Sequence, residues 1–292
     1  MRPARTPGQA SGAPHAAHGA AHGAARDAAI TTAFWAALHA EALKARRSRV
    51  PWLTGAAILL APVVGGLFMF ILQDPARARA WGLLGAKAQL AAGVADWPTY
   101  WGLLTQATAV GGQLLFSFLA AWVFGREFAD GTVKELLALP TPRTAVVVAK
   151  FVVVAAWGAA LAALVCLGGL AIGAALELPG WAVVPPGRAV AEVLAIAGLT
   201  LALTPPIALL ASAGRGYLAP LGWALLMLVL AQVLAATGWG AYFPWSVPAL
   251  LSGLAGPRAG QLGAHSFLVL AAASLAGFAG TVAWWHGADH GR

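Results

Sequence analysis

The residues of this chain that could do covalent or metal chemistry are few and poorly partnered. Ser117, Ser212 and Ser274 could serve as nucleophiles, but the sequence identifies no base for any of them. A hydrolase within a membrane needs such a pair, or a metal held by His and acidic ligands. His265, His286 and His290 fall at the edges of apolar runs, and the last two, four residues apart, are better read as decorating a helix end. His15, His18 and His22 could share a helix face and hold a metal. Glycines interleave them and no cysteine accompanies them, so a low-complexity tail is the preferred reading. Cys166 is the single cysteine, which excludes an intramolecular disulfide and any Cys-based metal site. No Gly-x-x-x-x-Gly-Lys-[Ser/Thr] phosphate loop occurs. The chain is therefore expected to be no enzyme and to bind no cofactor of its own.

The chemistry that remains is ionic, and it is concentrated between Gly125 and Arg143 in an otherwise Ala-, Leu-, Val- and Gly-rich chain. Phe124 to Asp130 extends the preceding apolar run, and Asp130-Gly131 is a turn signal that can break that helix. Thr132-Val133-Lys134-Glu135 has the form of a capping box, with Thr132 at the N-cap and Glu135 reaching back. Val133, Leu136 and Leu137 give the next helix an apolar face, and Leu139-Pro140 ends it. Thr141 then caps the following span, with Pro142 in its first helical position. The expected product is a short amphipathic helix across the inner membrane surface; the alternative is a solvated turn.

The elements that must position this loop are membrane spans. The chain is 60% hydrophobic and 10% charged with mean hydropathy +0.76, too little charge to cover a soluble surface. A bilayer core takes about 20 apolar residues per helix. Six runs qualify: Trp52–Leu72, Leu103–Val123, Ala145–Leu170, Val190–Ala211, Leu218–Ala236 and Ser266–Trp285. Lys44, Arg46, Arg47 and Arg49 precede the first, which places the N-terminus inside. With both termini inside, thirteen basic residues lie on the cytoplasmic side and five outside, at Arg77, Arg79, Lys87, Arg188 and Arg258. The net charge of +8 thus suits an inner-leaflet surface rather than a nucleic acid. The fold class expected is an all-α polytopic protein of the plasma membrane. It comprises a disordered cytoplasmic tail (1–29), an interfacial elbow helix (30–51), a six-span domain (52–286) and a short cytoplasmic end (287–292). In the elbow, Ile30, Phe34, Trp35, Leu38 and Ala42 recur at helical spacing before the basic cluster, a pattern suited to the inner interface.

The span centres carry no Asp, Glu, Lys or Arg, and Lys150 is expected to snorkel to the inner face. A gradient-driven carrier usually needs an intramembrane carboxylate or unwound midplane helices, so the bare centres disfavour one. Thr105, Gln106, Thr108, Gln113 and Ser117 make the second span the most polar. Thr105, Thr108 and Ser117 could line a translocation path, or make interhelical hydrogen bonds instead. Gly65-Gly66, Gly111-Gly112 and Gly168-Gly169 with Gly173 permit close helix packing. Trp239 to Trp245, rich in aromatics with Pro244 and Pro248 following, is expected in the outer interface, possible as a re-entrant cap.

Residues 122–151 resemble the intracellular loop of the ABC-2 type transporter permeases. The matching positions are Glu127, Gly131, Thr132, Leu136, Leu137, Pro140, Arg143 and Lys150. Glu41 to Arg49 resembles that family's elbow, and Tyr242 to Pro248 resembles an external segment of its bacitracin- and lantibiotic-type branch. The resemblance implies a permease subunit of an ATP-driven exporter. The loop would be its coupling helix, with Glu127, Gly131, Thr132, Lys134, Glu135, Leu136, Leu137, Pro140 and Arg143 coupling to a cytoplasmic ABC ATPase. ATP and Mg would sit on that partner, and a second permease subunit, identical or related, would complete the path. The competing reading is a non-transporting assembly or sensor module that recruits a cytoplasmic protein through 124–144.

Overall fold

The computed structural model describes residues 13–82, 93–138, 141–183, 185–254, 256 and 262–287, with the side chains of 13–27 and Leu137 left aside. Its elements are α1 (Ala13–Arg47), α2 (Val50–Gln73), α3 (Pro75–Ala80), α4 (Trp97–Ala129), α5 (Val133–Ala138) and α6 (Arg143–Ala175). They continue with α7 (Pro186–Ala202), α8 (Pro205–Ala213), α9 (Leu218–Thr237), α10 (Val247–Leu251) and α11 (Ala264–Gly287). The protein is all-α, and among the described residues six segments are long and apolar enough to cross a bilayer: α2, α4, α6, α7 with α8, α9 and α11. Each contains one of the six expected runs. The tail expected to be disordered is helical from Ala13 on, because alanine carries the highest helix propensity and dominates that stretch.

The second and third spans are much longer than expected. At 33 residues each, α4 and α6 reach about 50 Å at 1.5 Å per residue, against a hydrocarbon core of about 30 Å. The Asp96 side chain caps α4 by accepting from the Thr99 N–H at 2.9 Å, with Pro98 in the first turn. At its other end α4 carries the charged stretch Arg126-Glu127 clear of the apolar middle.

The fourth span is two helices, not one. Pro205 and Pro206 supply no N–H, so the carbonyls a turn earlier lose their helical partners. The Leu201 carbonyl is repaired locally: it accepts from the Thr204 N–H at 3.0 Å and the Thr204 hydroxyl at 2.7 Å. α11 crosses at this break, where its Gly277 lies against the Pro205–Pro206 backbone.

Small residues set the other close approaches. A Cβ on Gly66 would run into Ile172, one on Gly169 into Leu104, and one on Gly173 into the Trp97 ring. α2, α4 and α6 therefore pack backbone to side chain around Trp97, Tyr100, Trp101, Leu104 and Met69. The buried Tyr100 hydroxyl donates to the Pro62 carbonyl at 2.8 Å. Gly111 has no such role, since a side chain there would meet nothing.

Ala37, Leu38, Glu41, Ala42 and Ala45 form the stripe by which α1 meets the bundle, while Ile30 and Trp35 of the expected apolar face stay exposed. α1 ends where the Ser48 hydroxyl donates to the Ala45 carbonyl at 2.8 Å, and Pro51 falls in the first turn of α2.

Candidate functional site: a buried ion network beneath the charged loop

Three helices bring five charged side chains together: Glu41 and Lys44 from α1, Arg126 and Glu127 from α4, and Lys150 from α6. Lys150 is 0% exposed, and its Nζ donates two hydrogen bonds, to Glu41 Oε2 and the Val123 carbonyl, beside an ion pair with Glu127. It lies 3.1 Å from Glu41 Oε2, 3.1 Å from Glu127 Oε2 and 2.9 Å from the Val123 carbonyl. The Glu41 carboxylate also accepts from Arg126 Nη2 at 2.7 Å and from Lys44 Nζ at 3.0 Å. Glu127 Oε1 accepts from Lys44 Nζ at 2.8 Å. The Arg126 guanidinium sits 4.7 Å over the Trp122 ring, an arrangement that favours a cation.

Burying an ion alone costs several kcal/mol, so these charges persist only because each faces at least one opposite charge. Glu41 and Glu127 are each 2% exposed, and each is bridged by several cations. Lys44 is the rim member, its side chain 41% exposed. Burial alone would lower its pKa, but the Glu41 and Glu127 carboxylates outweigh that and hold it above the ordinary lysine value.

The expectation that Lys150 snorkels to the surface is therefore corrected. Its ammonium is buried against Glu41, Glu127 and the Val123 carbonyl, and it ties α6 to α1 and α4 instead. Glu127, expected at the coupling surface, is likewise enclosed, and lies behind the loop rather than on its face. Sequence reading missed Glu41, Lys44 and Arg126 as members. Glu41 and Lys44, three apart on an otherwise apolar helical stripe, were the available signal.

The loop itself starts from this anchored end of α4. The Asp130 N–H donates to the Arg126 carbonyl at 2.8 Å, and Gly131 turns the chain at φ +73°, where a side chain would be strained. Thr132 precedes α5 as expected, and its carbonyl accepts from the Leu136 N–H at 3.1 Å. The reciprocal side-chain bonds of a capping box are not made among the described residues: Thr132 and Glu135 are both exposed, and backbone bonds alone close the turn. Val133 is buried and Leu136 packs on the cluster formed by Phe124, Val147 and Trp285, while Lys134 and Glu135 face outward. The Leu137 side chain, Leu139 and Pro140 lie outside the described residues.

Pro142 stands one place earlier than expected, as N-cap of α6, and no side chain caps that helix. Arg143 is not free for a partner either. Its Nη1 donates to the Trp285 and His286 carbonyls at 3.1 and 3.2 Å, neutralising the C-terminal end of α11. The Thr144 hydroxyl lies 2.7 Å from His286 Nε2, and Trp285 Nε1 donates to Ser212 Oγ at 3.0 Å. The loop end of the bundle thus joins α1, α4, α6, α8 and α11.

The path candidates of α4 make no hydrogen bond to another helix among the described residues. Thr105, Thr108 and Ser117 are all buried. The two threonines donate within their own helix, to the Gly102 and Leu104 carbonyls at 2.8 Å each. Thr105 also lines a cavity of ≈ 310 Å³ with Trp101, Glu192, Ile196 and Ser252. At the same end of the bundle the aromatic segment folds back in two 3₁₀ turns, and Ser246 Oγ donates to the Ala231 carbonyl at 3.0 Å, well inside the end of α9. Trp239 and Tyr242 remain exposed there.

The family model described as "ABC-2 family transporter protein" matches residues 37–231, more than half of the chain. The chain belongs to the ABC-2 transporter family. The match encloses all five members of the ion network and the whole of the loop, and stops before the aromatic segment and α11. The bacitracin transport permease protein BCRB of Bacillus licheniformis is 24% identical over 179 residues, covering 61% of this chain and 85% of that protein. No solved structure matches the chain. As a member of the ABC-2 transporter family with six apolar helices, it is a multi-pass membrane protein with a transport role.

Proposed function

We propose that this ABC-2 permease is the membrane subunit of an ATP-driven exporter in the plasma membrane. In this reading α5 faces the cytoplasm and docks on a separate ABC ATPase that supplies ATP and Mg. One observation carries the reading. The apolar face of α5 is seated on the bundle and both flanks of the loop are anchored, at Arg126–Glu127 and at Arg143, while Thr132, Lys134 and Glu135 are left outward. A helix held this rigidly transmits a push on its polar face to α4, α6 and α11 together. Both termini then lie inside, and a second six-span chain, identical or related, completes the path for the cargo. Thr105, on its cavity, is the best supported of the path residues; Thr108 and Ser117 lie on the same helix.

The test is the charge reversal Lys134→Glu with Glu135→Lys, in tagged chain purified from its own membranes. Wild type is expected to bring down Mg-dependent ATP hydrolysis, and the reversed chain to lose it at an unchanged thermal midpoint. Hydrolysis absent from the wild-type sample, or equal in both, would sink the docking assignment.

A further inference from the structure

A polar cavity of ≈ 520 Å³ opens beside the ion network, between the ends of α1 and α4 and the turn before α9. Lys44, Arg47, Arg126 and Trp122 line it, together with Glu127, Asp130 and Tyr217. We propose that this cavity binds the phosphate of a membrane phospholipid from the leaflet on the loop side.

The charge count favours an anion. The buried members of the network balance, Arg126 and Lys150 against Glu41 and Glu127, and Lys44 adds a further positive charge on the part-exposed rim beside the cavity. Arg47 adds a further cation at the mouth and makes no ion pair among the described residues. Arg126, over nine-tenths buried, makes no hydrogen bond from its Nε, which lies 3.4 Å from Glu127 Oε2 as an ion pair only. Glu127 also lines the cavity, but its carboxylate is shared among Lys44, Lys150 and Arg126 at 2.8, 3.1 and 3.4 Å, and the lining's three cations outnumber Glu127 and Asp130.

Position favours a lipid over a free ion. The cavity lies where α1 turns into α2 and where α4 leaves its apolar stretch, the level at which headgroups sit. Trp122 and Tyr217 bring amphipathic rings of the kind enriched at that level. Exposed Asp130 and Thr132 belong to the same lining and suit a hydroxyl or ammonium beyond the phosphate. This inference needs the chain to be a membrane protein, and does not depend on the ATPase docking of α5.

The experiment is native mass spectrometry of delipidated full-length protein titrated with dioleoyl phosphatidylglycerol or dioleoylglycerol, which lacks the phosphate. Wild type is expected to retain one phosphatidylglycerol under conditions that strip dioleoylglycerol. Arg47→Ala should weaken that retention about fivefold, the equivalent of about 1 kcal/mol per basic residue, at an unchanged thermal midpoint. Arg79→Ala, on α3 at the opposite end of α2, should leave it unchanged. Equal retention in Arg47→Ala and wild type, or equal retention of dioleoylglycerol, overturns the site. Calorimetry with inorganic phosphate separates the two sources. Arg47-dependent binding of phosphate without retention of phosphatidylglycerol would assign the cavity to a soluble anion and remove the lipid.

Discussion

Replacing Lys150 by methionine is expected to lower stability by about 3–5 kcal/mol, the cost typical of breaking a buried ion pair by removing one partner. Lys150 Nζ is the only described cation wholly enclosed between Glu41 and Glu127, at 3.1 Å from each. Without it the two carboxylates face one another across an apolar methionine. The thermal unfolding midpoint in detergent reads the effect, and insertion into the membrane should be unimpaired because α6 keeps its apolar length. Glu127→Gln in the same chain removes one stranded carboxylate, so the double variant should lose less than the two single losses added together. A wild-type midpoint for Lys150→Met would show that the network contributes nothing to holding the three helices.

The second large effect is steric. Gly277→Val is expected to destabilise by about 1–3 kcal/mol, the range for overpacking a close contact. A Cβ at Gly277 would lie 2.6 Å from Pro206 Cδ and 2.7 Å from the Pro205 carbonyl carbon. Those are backbone and ring atoms of a helix break, so no rotamer change relieves them and α11 must move away from α8. Its far end carries the carbonyls that Arg143 caps, so the start of α6 is disturbed as well. Gly222→Val in α9 is the matched control, since a side chain there meets nothing within 4 Å. Equal midpoints for the two variants would contradict the close crossing.

What was legible in the sequence follows from what is local. Apolar length reveals a span without reference to any other residue, so all six runs lie inside the observed segments. Thr132 before Val133, and Asp130-Gly131 before both, are local signals too, and α5 forms where they put it. Local chemistry also warned of the break in the fourth span, since Pro205-Pro206 cannot continue a helix; the apolar run simply reads straight through it. The fate of Lys150 could not be read this way. Its carboxylate partner on α1 lies 109 positions earlier, on a helix whose apolar stripe suggested a membrane surface rather than a bundle. For Arg143 the same holds, because the α11 carbonyls it caps are 142 and 143 positions further on.

The separation of the network along the chain has a consequence for biogenesis. Glu41 and Lys44 leave the ribosome before Arg126 and Glu127, and Lys150 leaves last, within the third span. Until α6 is inserted, the two glutamates lack the cation that sits between them, and α1 lacks the helix it rests on. The amino-terminal helix is thus made first but docked late. A nascent chain arrested after α4 is expected to leave α1 open to protease, and one arrested after α6 to protect it.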